Sequence, residues 1–355
     1  MVLCPITGKN SQNMKKIIIA MLAGLTAISG AAQDSKTVVN GAGASFPAPV
    51  YRIWTYQYST ESGNRVNYQS LGSGAGINQI KAGTVAFGGT DNPLTKEELD
   101  RNGLLQFPML MGGVVVIVNV PGVNGNSLKL NQDVLSKIFL GEITTWNDPQ
   151  IKAINPGLEL PDLKITAVTR ADSSGTTFIF TNYLTKISKD WEAKVGCGPA
   201  VKWPVGIRAQ KNPGVCNNVS KIRGAIGYTE YTYAIEAKLA TPQLRNKEGK
   251  YMVAAPEAFK AAGANADWQN APGFYMMLTE QPGEQSWPIA GLTYLLIHRN
   301  QTDAAQGKAL LDYINWCFTK GAKSATQMHY VAMPENVVEM VRKELAKVTF
   351  GAAEK

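Results

Sequence analysis

The sequence predicts an α/β protein with two lobes that are joined by two crossings of the chain. Strand-like segments alternate with helix-like segments through most of the chain, which is typical of α/β architecture. At 355 residues the chain is longer than one compact core usually requires. Gly112 and Gly113 interrupt one long apolar run, and Pro288 precedes another, so we expect the crossings there. The predicted lobes are residues 33–112 with 288–355, and residues 113–287.

Each predicted element of the first 120 residues follows from its apolar pattern and its glycines. Apolar alternation that runs into a glycine turn predicts a strand, and apolar residues at helical spacing predict a helix. The order is a strand in KTVVNGAGA, a helix in PAPVYRIWTYQYSTESG that ends at Gly63, a strand and turn in RVNYQSLGSGAG, a helix from INQIKAGT, a strand and turn in VAFGGTD, and two strands with a break between them in LLQFPMLMGGVVVIVNV.

The same rules order the rest of the chain, which contains no internal repeat. The predicted elements are a helix and an aromatic loop in NQDVLSKIFLGEITTWNDPQI, a strand, turn and helix in LKITAVTRADSSGTTFIFTNYL, a short strand and helix in GAIGYTEYTYAIEAKL, a strand in SWPIAGLTYLLIHRN, and helices in AQGKALLDYINWCFTKGAK and PENVVEMVRKELAKV.

Composition and charge favour a folded protein that does not bind nucleic acid. The chain is 45% hydrophobic and 17% charged, as globular proteins are. Its formal net charge of +8 is small for this length. The lysines and arginines are scattered, without the basic arm or stripe that nucleic-acid binding requires.

The N-terminus has the layout of a secretion signal. Two lysines precede an apolar run over residues 17–28, and small residues follow up to Ala32. We expect residues 1–32 to be a cleaved signal peptide, with translation starting at Met1 or at Met14. A buried helix is the alternative, and the run is too short for a comfortable membrane span. No cysteine follows the run, so we expect an exported protein without a lipid anchor.

Export permits a disulfide. Cys197 and Cys216 lie 19 residues apart in a region rich in glycine and proline, so they are the candidate pair, with two free thiols as the alternative. Cys317 lies in the helical pattern LDYINWCFTKG and is expected to be a buried core thiol. The cysteine spacings match no zinc site, and we predict no metal and no cofactor.

Four turn segments share one composition, and three of them open onto a predicted helix. At a helix start, backbone N–H groups lack partners and the dipole is positive. Ser or Thr there can cap the helix and donate a hydroxyl, and glycine lets a ligand approach the backbone. The candidate residues are Ser45 and Phe46 in GAGASFPAP, Ser73 in LGSGAGINQ, Ser174, Gly175 and Thr176 in RADSSGTTF, and Asp91 in FGGTDNP.

Arg170 would add one positive charge to these turns, which together would suit an oxyanion. Asp91 is unusual, because a carboxylate repels an anion unless the anion carries a proton to donate. A protonated phosphate has that proton and sulfate has none at neutral pH, so Asp91 would favour phosphate. The alternatives stay open here: each loop alone is more often an ordinary cap, and Arg170 with Asp172 could be a surface salt bridge.

From the mature N-terminus to about residue 345, the chain resembles the substrate-binding protein of bacterial high-affinity phosphate ABC transporters. The motifs that carry the resemblance are GAGASFPAPVY, YQSLGSGAG, FGGTDNPL, FPMLMGGVVVIVN, GEITTWNDP, TRADSSGTTFIFTNYL, VKWPVG, GAIGYTEYTYA and SWPIAGLTYLLIH. The resemblance implies a type II periplasmic binding protein fold, with two α/β lobes, a hinge and a central cleft for one phosphate. It also implies a periplasmic monomer that delivers inorganic phosphate to a membrane permease of two permease subunits with ATPase subunits.

Carried over motif by motif, the resemblance implies the phosphate contacts and their support. The implied contacts are Ser45, Phe46 through its backbone N–H, Ser73, Asp91, Arg170, Ser174, Gly175 and Thr176. Asp172 is implied to pair with Arg170 and temper its charge. The departures from the family pattern are Ser45 where Thr is frequent, Gly74 and Ala75 where Ser and Gly are frequent, Ser173 where Gly is frequent, and the stretch IRAQKNPGVCNNV with Arg208 and fewer glycines than usual.

Three other classes of function stay open: an exported enzyme, a binding protein for another anion, and a surface adhesin or phosphate sensor that also binds phosphate. An exported phosphatase or esterase could use Ser73 or Ser174 as a nucleophile, but His298 and His329 lie near no nucleophile motif and G-x-S-x-G is absent. A binding protein for another protonated oxyanion, such as arsenate, would fit the same residues. We therefore expect a binding protein and not an enzyme.

Overall fold

The computed structural model describes residues 37–264 and 266–351, in which strands and helices alternate as predicted. The predicted signal peptide, residues 1–32, and the alternative start at Met14 lie outside the described residues. Among the described residues, no helix combines the length and apolar character that a membrane crossing needs.

The strands are mostly short, apart from two long ones in the centre of the main sheet. They are β1 (Val38–Gly43), β2 (Arg65–Ser70), β3 (Phe87–Thr90), β4 (Leu104–Asn119), β5 (Lys129–Leu130), β6 (Thr166–Arg170), β7 (Ile207–Ala209), β8 (Ala225–Glu230), β9 (Gln243–Arg245), β10 (Tyr251–Met252), β11 (Ala290–His298), β12 (Asn300–Gln301), β13 (Val331–Ala332) and β14 (Thr349–Phe350).

The helices alternate with these strands, and several of them begin at an Asn, Asp, Ser or Thr N-cap. They are α1 (Ala48–Ser62), α2 (Ser73–Lys81), α3 (Lys96–Arg101), α4 (Gln132–Leu140), α5 (Pro149–Ala153), α6 (Gly175–Ile187), α7 (Lys189–Lys194), α8 (Lys211–Lys221), α9 (Tyr231–Glu236), α10 (Pro256–Ala264), α11 (Ala304–Phe318), α12 (Gly321–Gln327) and α13 (Glu335–Leu345). The predicted end of the first helix at Gly63 is confirmed, since this glycine follows α1 with φ 76°, the left-handed conformation that only glycine adopts without strain.

Nine of the described strands form one mixed sheet in the order β2-β1-β3-β11-β4-β8-β6-β7, with β13 beside β4. We call β1, β2 and β3 the first strand set and β6, β7 and β8 the second strand set. Strands within each set run parallel to one another. Parallel neighbours need a crossover connection, and α1, α2 and α8 are among the helices that supply it.

The 16-residue strand β4 connects the two strand sets without a break. Its residues up to Gly113 pair with β11, and its residues from Val114 onward pair with β8. The predicted break at Gly112 and Gly113 is therefore wrong. These glycines are needed for space instead, because a Cβ on Gly113 would lie 2.2 Å from the ring of Phe259 and a Cβ on Gly112 would lie 2.9 Å from the ring of Phe46.

The direction of β4 explains where the strand sets meet. The first half of β4 runs in the same direction as the first strand set, because both run antiparallel to β11. Its second half runs antiparallel to β8, whose last residue, Glu230, lies opposite Val114. The carboxyl ends of both strand sets therefore lie on either side of the middle of β4.

Aromatic residues beneath the second strand set hold its loops in place. The ring of Tyr228 on β8 stacks on Phe180 of α6, with centroids 4.3 Å apart and an interplanar angle of 12°. The Tyr228 hydroxyl contacts Thr177 Oγ1 at 2.7 Å and accepts from the backbone N–H of Arg170 at 3.3 Å. Burial of such rings stabilises the fold by about 2–3 kcal/mol each, so the core fixes both the start of α6 and the end of β6.

The structure does not contain the predicted disulfide between Cys197 and Cys216, because both are free thiols. Cys197 faces α6, where its sulfur lies 3.8 Å from the Phe178 carbonyl oxygen. Cys216 is buried against β8, where its Sγ lies 3.6 Å from Thr229 Oγ1, and burial raises its pKa to about 11. The two thiols thus belong to different packing environments. Cys317 on α11 is buried, as predicted.

Candidate functional site

The loops at the carboxyl ends of the two strand sets bring the candidate residues together in one buried place. Ser45 and Phe46 follow β1, Ser73 begins α2, and Asp91 follows β3. Arg170 is the last residue of β6, and α6 begins at Gly175 after its N-cap Ser174. Every one of these residues is buried, and so is Thr176.

The loops of the two strand sets contact each other directly. Ser73 Oγ accepts a hydrogen bond from the Gly175 N–H at 3.0 Å, and Ser45 Oγ lies 3.4 Å from Arg170 Nη2. The approach at Gly175 is so close that a Cβ there would lie 2.4 Å from Ser73 Oγ and 2.5 Å from Asp91 Cβ. Glycine is therefore the residue that permits this contact.

Arg170 is fixed by two neighbours. Its Nε donates to Asp172 Oδ1 at 2.8 Å and its Nη2 donates to Asp172 Oδ2 at 2.5 Å, while its Nη1 donates to Asn212 Oδ1 at 3.0 Å. Both side chains of the ion pair are largely buried, 1% and 11% exposed. The geometry is the bidentate pairing that arginine forms with carboxylates, so the guanidinium is held in one orientation.

Asp172 stays ionised because of these contacts. Burial tends to raise its pKa, but hydrogen bonds from Arg170, the charge of Arg170 and a 2.9 Å hydrogen bond from the Lys211 N–H hold that pKa below its usual value. The implied pairing of Arg170 with Asp172 is thus present in the structure as an ion pair.

Asp91 lies in the opposite environment. Burial raises the pKa of Asp91 from 3.8 to about 7, and the nearby Thr293 hydroxyl, the charge of Arg170 and the Ser73 hydroxyl lower it only in part. Its side chain is 2% exposed. At neutral pH this carboxyl therefore exchanges between its neutral and ionised forms, which suits a group that shares a proton with a ligand.

Three serine hydroxyls in the site accept hydrogen bonds from N–H groups. Ser73 Oγ accepts from the backbone of Gly175 and of Asp91, and Ser174 Oγ accepts from the Thr177 N–H at 3.1 Å. Ser45 Oγ lies 3.4 Å from both Arg170 Nη2 and the Asn212 N–H. The Ser73 hydroxyl also donates to Asp91 Oδ2 at 3.5 Å. Because the oxygens of Ser45 and Ser174 already act as acceptors, these two hydroxyls have protons left to donate, and an anion is the group that needs such donors.

Three buried polar atoms of the site have no hydrogen-bond partner within residues 37–264 and 266–351. They are Asp91 Oδ1, Thr176 Oγ1 and Asn212 Nδ2. Buried polar groups in folded proteins are almost always hydrogen-bonded, and an exception calls for a water, an ion or a functional role. A carboxyl oxygen, a hydroxyl and an amide N–H₂ without partners fit a ligand with both donor and acceptor oxygens.

The sequence analysis did not identify Asn212. This residue lies in the first turn of α8, in the stretch IRAQKNPGVCNNV, and contacts both Arg170 and Ser45. Pro213 directly after it was the available signal, because proline is favoured in the first turn of a helix. The stretch therefore contains a further helix start beside the site.

Two of the departures from the family pattern lie against each other. The N–H of Gly74 donates to the carbonyl oxygen of Ser173 at 3.1 Å, and a Cβ on Gly74 would lie 2.3 Å from Ser173 Oγ. The serine at position 173 thus uses the space that a side chain at position 74 would need. Together, the two residues keep the contact between the loops of the two strand sets.

The histidines lie away from the candidate nucleophiles. His298 Nε2 lies 2.8 Å from the carbonyl oxygen of Ile80, and the His329 ring packs edge-on against Tyr231 at 5.8 Å. Within the described ranges, no three His, Cys, Asp or Glu side chains cluster as metal ligands would.

Comparison with known proteins also points to phosphate-binding proteins. The PBP superfamily domain matches residues 30–319. The phosphate-binding protein PstS of Xylella fastidiosa is 44% identical over 337 residues, which cover 95% of this chain and 93% of that protein. PstS of Pasteurella multocida is 44% identical over 328 residues, which cover 92% of this chain and 94% of that protein.

A solved structure supports the fold. PfluDING, described as a high-affinity periplasmic phosphate-binding protein bound with phosphate, matches with a TM-score of 0.67 at 20% identity, over 86% of this chain and 93% of that chain. The α/β architecture is thus the type II periplasmic binding protein fold, as predicted. The chain belongs to the PstS family of phosphate-binding proteins, within the PBP superfamily.

Proposed function

We propose that this protein binds inorganic phosphate as the substrate-binding component of a phosphate ABC transporter. The observation that carries the proposal is the combination of hydroxyl donors from Ser45 and Ser174 with the buried carboxyl of Asp91. Ser73 donates to Oδ2 of this carboxyl, and its Oδ1 has no partner among the described residues. Donors suit the oxygens of an anion, and the carboxyl suits a proton on that anion. A protonated phosphate offers both.

The remaining residues complete the proposed site. Arg170 contributes the positive charge, Asp172 steadies it, and Thr176 adds a buried hydroxyl without a partner in the described residues. Phe46 contributes its backbone N–H, and Gly175 permits the close approach of the α6 start. Because Asp172 offsets the charge of Arg170, we expect affinity to depend more on hydrogen bonds than on net charge.

Discrimination against sulfate follows from the same geometry. Sulfate has no proton at neutral pH, so an ionised Asp91 would face a sulfate oxygen as acceptor against acceptor. A neutral Asp91 could donate a hydrogen bond to sulfate, but Asp91 is mostly neutral only below its pKa of about 7. Arsenate carries a proton as phosphate does, so it is the alternative ligand that these residues would accept.

The transport role rests on the names of the relatives and on the sequence. We propose export to the periplasm with cleavage of residues 1–32, lobes of residues 33–112 with 288–355 and of residues 113–287, and closure of these lobes on the ion. The monomer would then deliver phosphate to a permease of two subunits with ATPase subunits. We propose no catalysis, because neither histidine lies beside Ser73 or Ser174.

Calorimetric titration tests the proposal. Protein stripped of phosphate is titrated with phosphate, sulfate and arsenate at two pH values, one below and one above pH 7. We expect tight binding of phosphate, binding of arsenate, and sulfate binding that is much weaker and becomes weaker still at the higher pH. Absence of heat with phosphate, or equal affinity for sulfate, contradicts the proposal. Release of phosphate from simple esters would favour an enzyme instead.

A further inference from the structure

Three tyrosine hydroxyls hold three consecutive carbonyl groups of the loop after β1. Tyr68 donates to the Ala44 carbonyl oxygen at 2.8 Å, Tyr233 donates to that of Ser45 at 2.7 Å, and Tyr330 donates to that of Phe46 at 2.7 Å. The tyrosines come from β2, α9 and the residue before β13, so three distant segments act on one short loop.

These hydrogen bonds set the direction of the loop's N–H groups. In a planar trans peptide, the carbonyl of one residue and the N–H of the next point in opposite directions. Fixing the Ala44 carbonyl therefore fixes the Ser45 N–H, and fixing the Ser45 carbonyl fixes the Phe46 N–H. The Phe46 carbonyl belongs to the peptide with Pro47, which has no N–H, so Tyr330 restrains the position of Phe46 from its other side. Burial raises the pKa of each of the three tyrosines above its usual value, so each hydroxyl keeps its proton and can donate it.

A buried carboxyl group lies behind the third tyrosine. Glu230, at the end of β8, is fully buried, and its Oε2 lies 2.9 Å from the Tyr330 hydroxyl. A tyrosine hydroxyl has one proton, and Tyr330 needs it for the Phe46 carbonyl, which can only accept. The 2.9 Å contact is therefore a hydrogen bond only when Glu230 carries a proton and donates it to Tyr330. An ionised Glu230 would attract the tyrosine proton away from Phe46, because bonds to a carboxylate are stronger.

We propose that Tyr68 and Tyr233 are positioning residues that aim the N–H groups of Ser45 and Phe46 at the bound anion, that Tyr330 is a positioning residue that anchors the following peptide so that Phe46 keeps its place, and that Glu230 must be neutral to complete this arrangement. The inference rests on the proposed function, because it assigns these N–H groups to the phosphate. It predicts that ionisation of Glu230 weakens phosphate binding although Glu230 never touches the ion.

The surroundings of Glu230 favour its neutral form. Burial raises the pKa of Glu230 to about 8, while the Thr232 N–H, Tyr330 and the Thr232 hydroxyl lower it and Asp91 raises it. The other titratable groups whose charge it feels or affects are Cys216 on α8 and Tyr231 and Tyr233 on α9. None of these groups is a cation, so none favours the ionised form of Glu230.

The test uses inorganic phosphate and four variants of the full mature chain, titrated by calorimetry near pH 6 and near pH 9. We expect Tyr233→Phe and Tyr330→Phe to bind phosphate roughly tenfold more weakly at both pH values, because a buried carbonyl loses its donor. Tyr58→Phe is the matched control. Tyr58 lies near the C-terminal end of α1, away from the loop after β1, and donates to the carbonyl oxygen of Ala309 on α11. The affinity of this variant should stay within about twofold of the wild type.

Glu230→Gln isolates the proton on Glu230. Glutamine is uncharged at every pH and can present an N–H₂ donor to Tyr330. The variant should therefore bind phosphate like the wild type near pH 6, and at least about threefold more tightly than the wild type near pH 9. Asp91 and phosphate itself titrate in both proteins, so the ratio of the two affinities reports Glu230 alone. A ratio that is the same at both pH values overturns the role of Glu230.

The outcomes separate the inference from the proposed function. If the wild type does not bind phosphate, the proposed function fails. If the wild type binds phosphate and both Tyr233→Phe and Tyr330→Phe bind it as tightly as the wild type does, the positioning role fails. Tyr233 is half-buried, so its variant keeps the test available if Tyr330→Phe does not fold. A changed chemical shift of the Phe46 amide in Tyr233→Phe, without phosphate, is the expected direct sign of lost positioning, and an unchanged shift counts against it.

Discussion

Asp91 and Asp172 are the same residue type on opposite sides of one site, and their environments move their pKa values in opposite directions. Both are desolvated by burial. Asp172 has a bidentate arginine and a backbone N–H as partners, so its charged form is favoured. Asp91 has an Oδ1 with no partner in the described residues, and its pKa rises to about 7. Partners, and not burial itself, decide which form of a buried carboxyl is stable.

The difference gives the two sides of the site distinct tasks. The second strand set presents a charge that is fixed, because Arg170 and Asp172 stay ionised together. The first strand set presents hydroxyls and a carboxyl whose proton is exchangeable. We infer that the second strand set attracts and orients the anion, and that the first strand set recognises the proton on the anion.

Breaking the fixed pair should have the largest effect. Arg170→Ala leaves Asp172 as an unpaired, largely buried carboxylate and removes the site's positive charge, so we expect a loss of about 3–5 kcal/mol in phosphate binding, roughly 100- to 4,000-fold in Kd. The measurement is calorimetric titration with phosphate. Arg208→Ala is the matched control, because Arg208 is exposed on the neighbouring strand β7 and donates to Thr169. Equal losses in both variants would contradict the role of Arg170.

The pH dependence of stability sharpens the comparison next. The native pKa of Asp91 is raised from 3.8 to about 7, so the native state binds more protons than the unfolded chain in that window and its free energy of unfolding falls as pH rises through it. This decrease in the free energy of unfolding is at most about 4 kcal/mol. Asp91→Asn should therefore gain stability relative to the wild type between pH 5 and pH 9, measured by urea unfolding without phosphate.

Asp172→Asn is the opposite case in the same measurement. The pKa of Asp172 is lowered, so its contribution to stability is present above its unfolded pKa and is lost only as pH falls through the folded value. This variant should lose a constant amount of stability from pH 5 to pH 9. Glu230 and Glu280 have pKa values raised to about 8 and about 7, but both titrate in all three proteins. Parallel curves for the wild type and Asp91→Asn would refute the assignment.

The contact between the two sides can be opened at one atom. A Cβ at Gly175 would lie within 2.6 Å of Ser73 and Asp91 atoms, so Gly175→Ala should separate α6 from the first strand set and weaken phosphate binding by about 1–3 kcal/mol. Gly214→Ala is a matched control in α8, where the nearest atom would be 3.7 Å from the new Cβ. It should leave phosphate affinity unchanged and raise stability by up to about 1 kcal/mol. Comparable losses of affinity would argue against a specific contact.

The smallest expected effect concerns selectivity. Asp91→Asn replaces an acceptor by an amide that can donate to sulfate, so the ratio of sulfate to phosphate affinity should rise about tenfold. Competition titrations of the two anions against wild type and variant measure the ratio. An unchanged ratio would exclude Asp91 as the group that senses the proton, even if phosphate affinity falls.

Features that depend on a few neighbouring residues were available from the sequence. The alternation of elements, the helix end at Gly63, the cap at Ser174 and the glycine at the start of α6 all follow from local sterics and unpaired N–H groups. The resemblance to a known family added the assignment of these candidate residues as phosphate contacts. The continuity of β4 through Gly112 and Gly113 was not visible, because these glycines answer to the distant rings of Phe46 and Phe259.

The sequence by itself thus determined the α/β architecture, the helix starts and the types of group in the site, because capping and periodicity act between near neighbours. The tertiary structure alone decided which hydroxyls keep a proton to donate, that Asn212 joins Arg170, that Cys197 and Cys216 stay apart, and that three tyrosines and Glu230 hold the loop after β1. It also decided that one aspartate is charged while the other can share a proton. These properties depend on desolvation and on partners that are brought together from distant parts of the chain, and no local pattern encodes them.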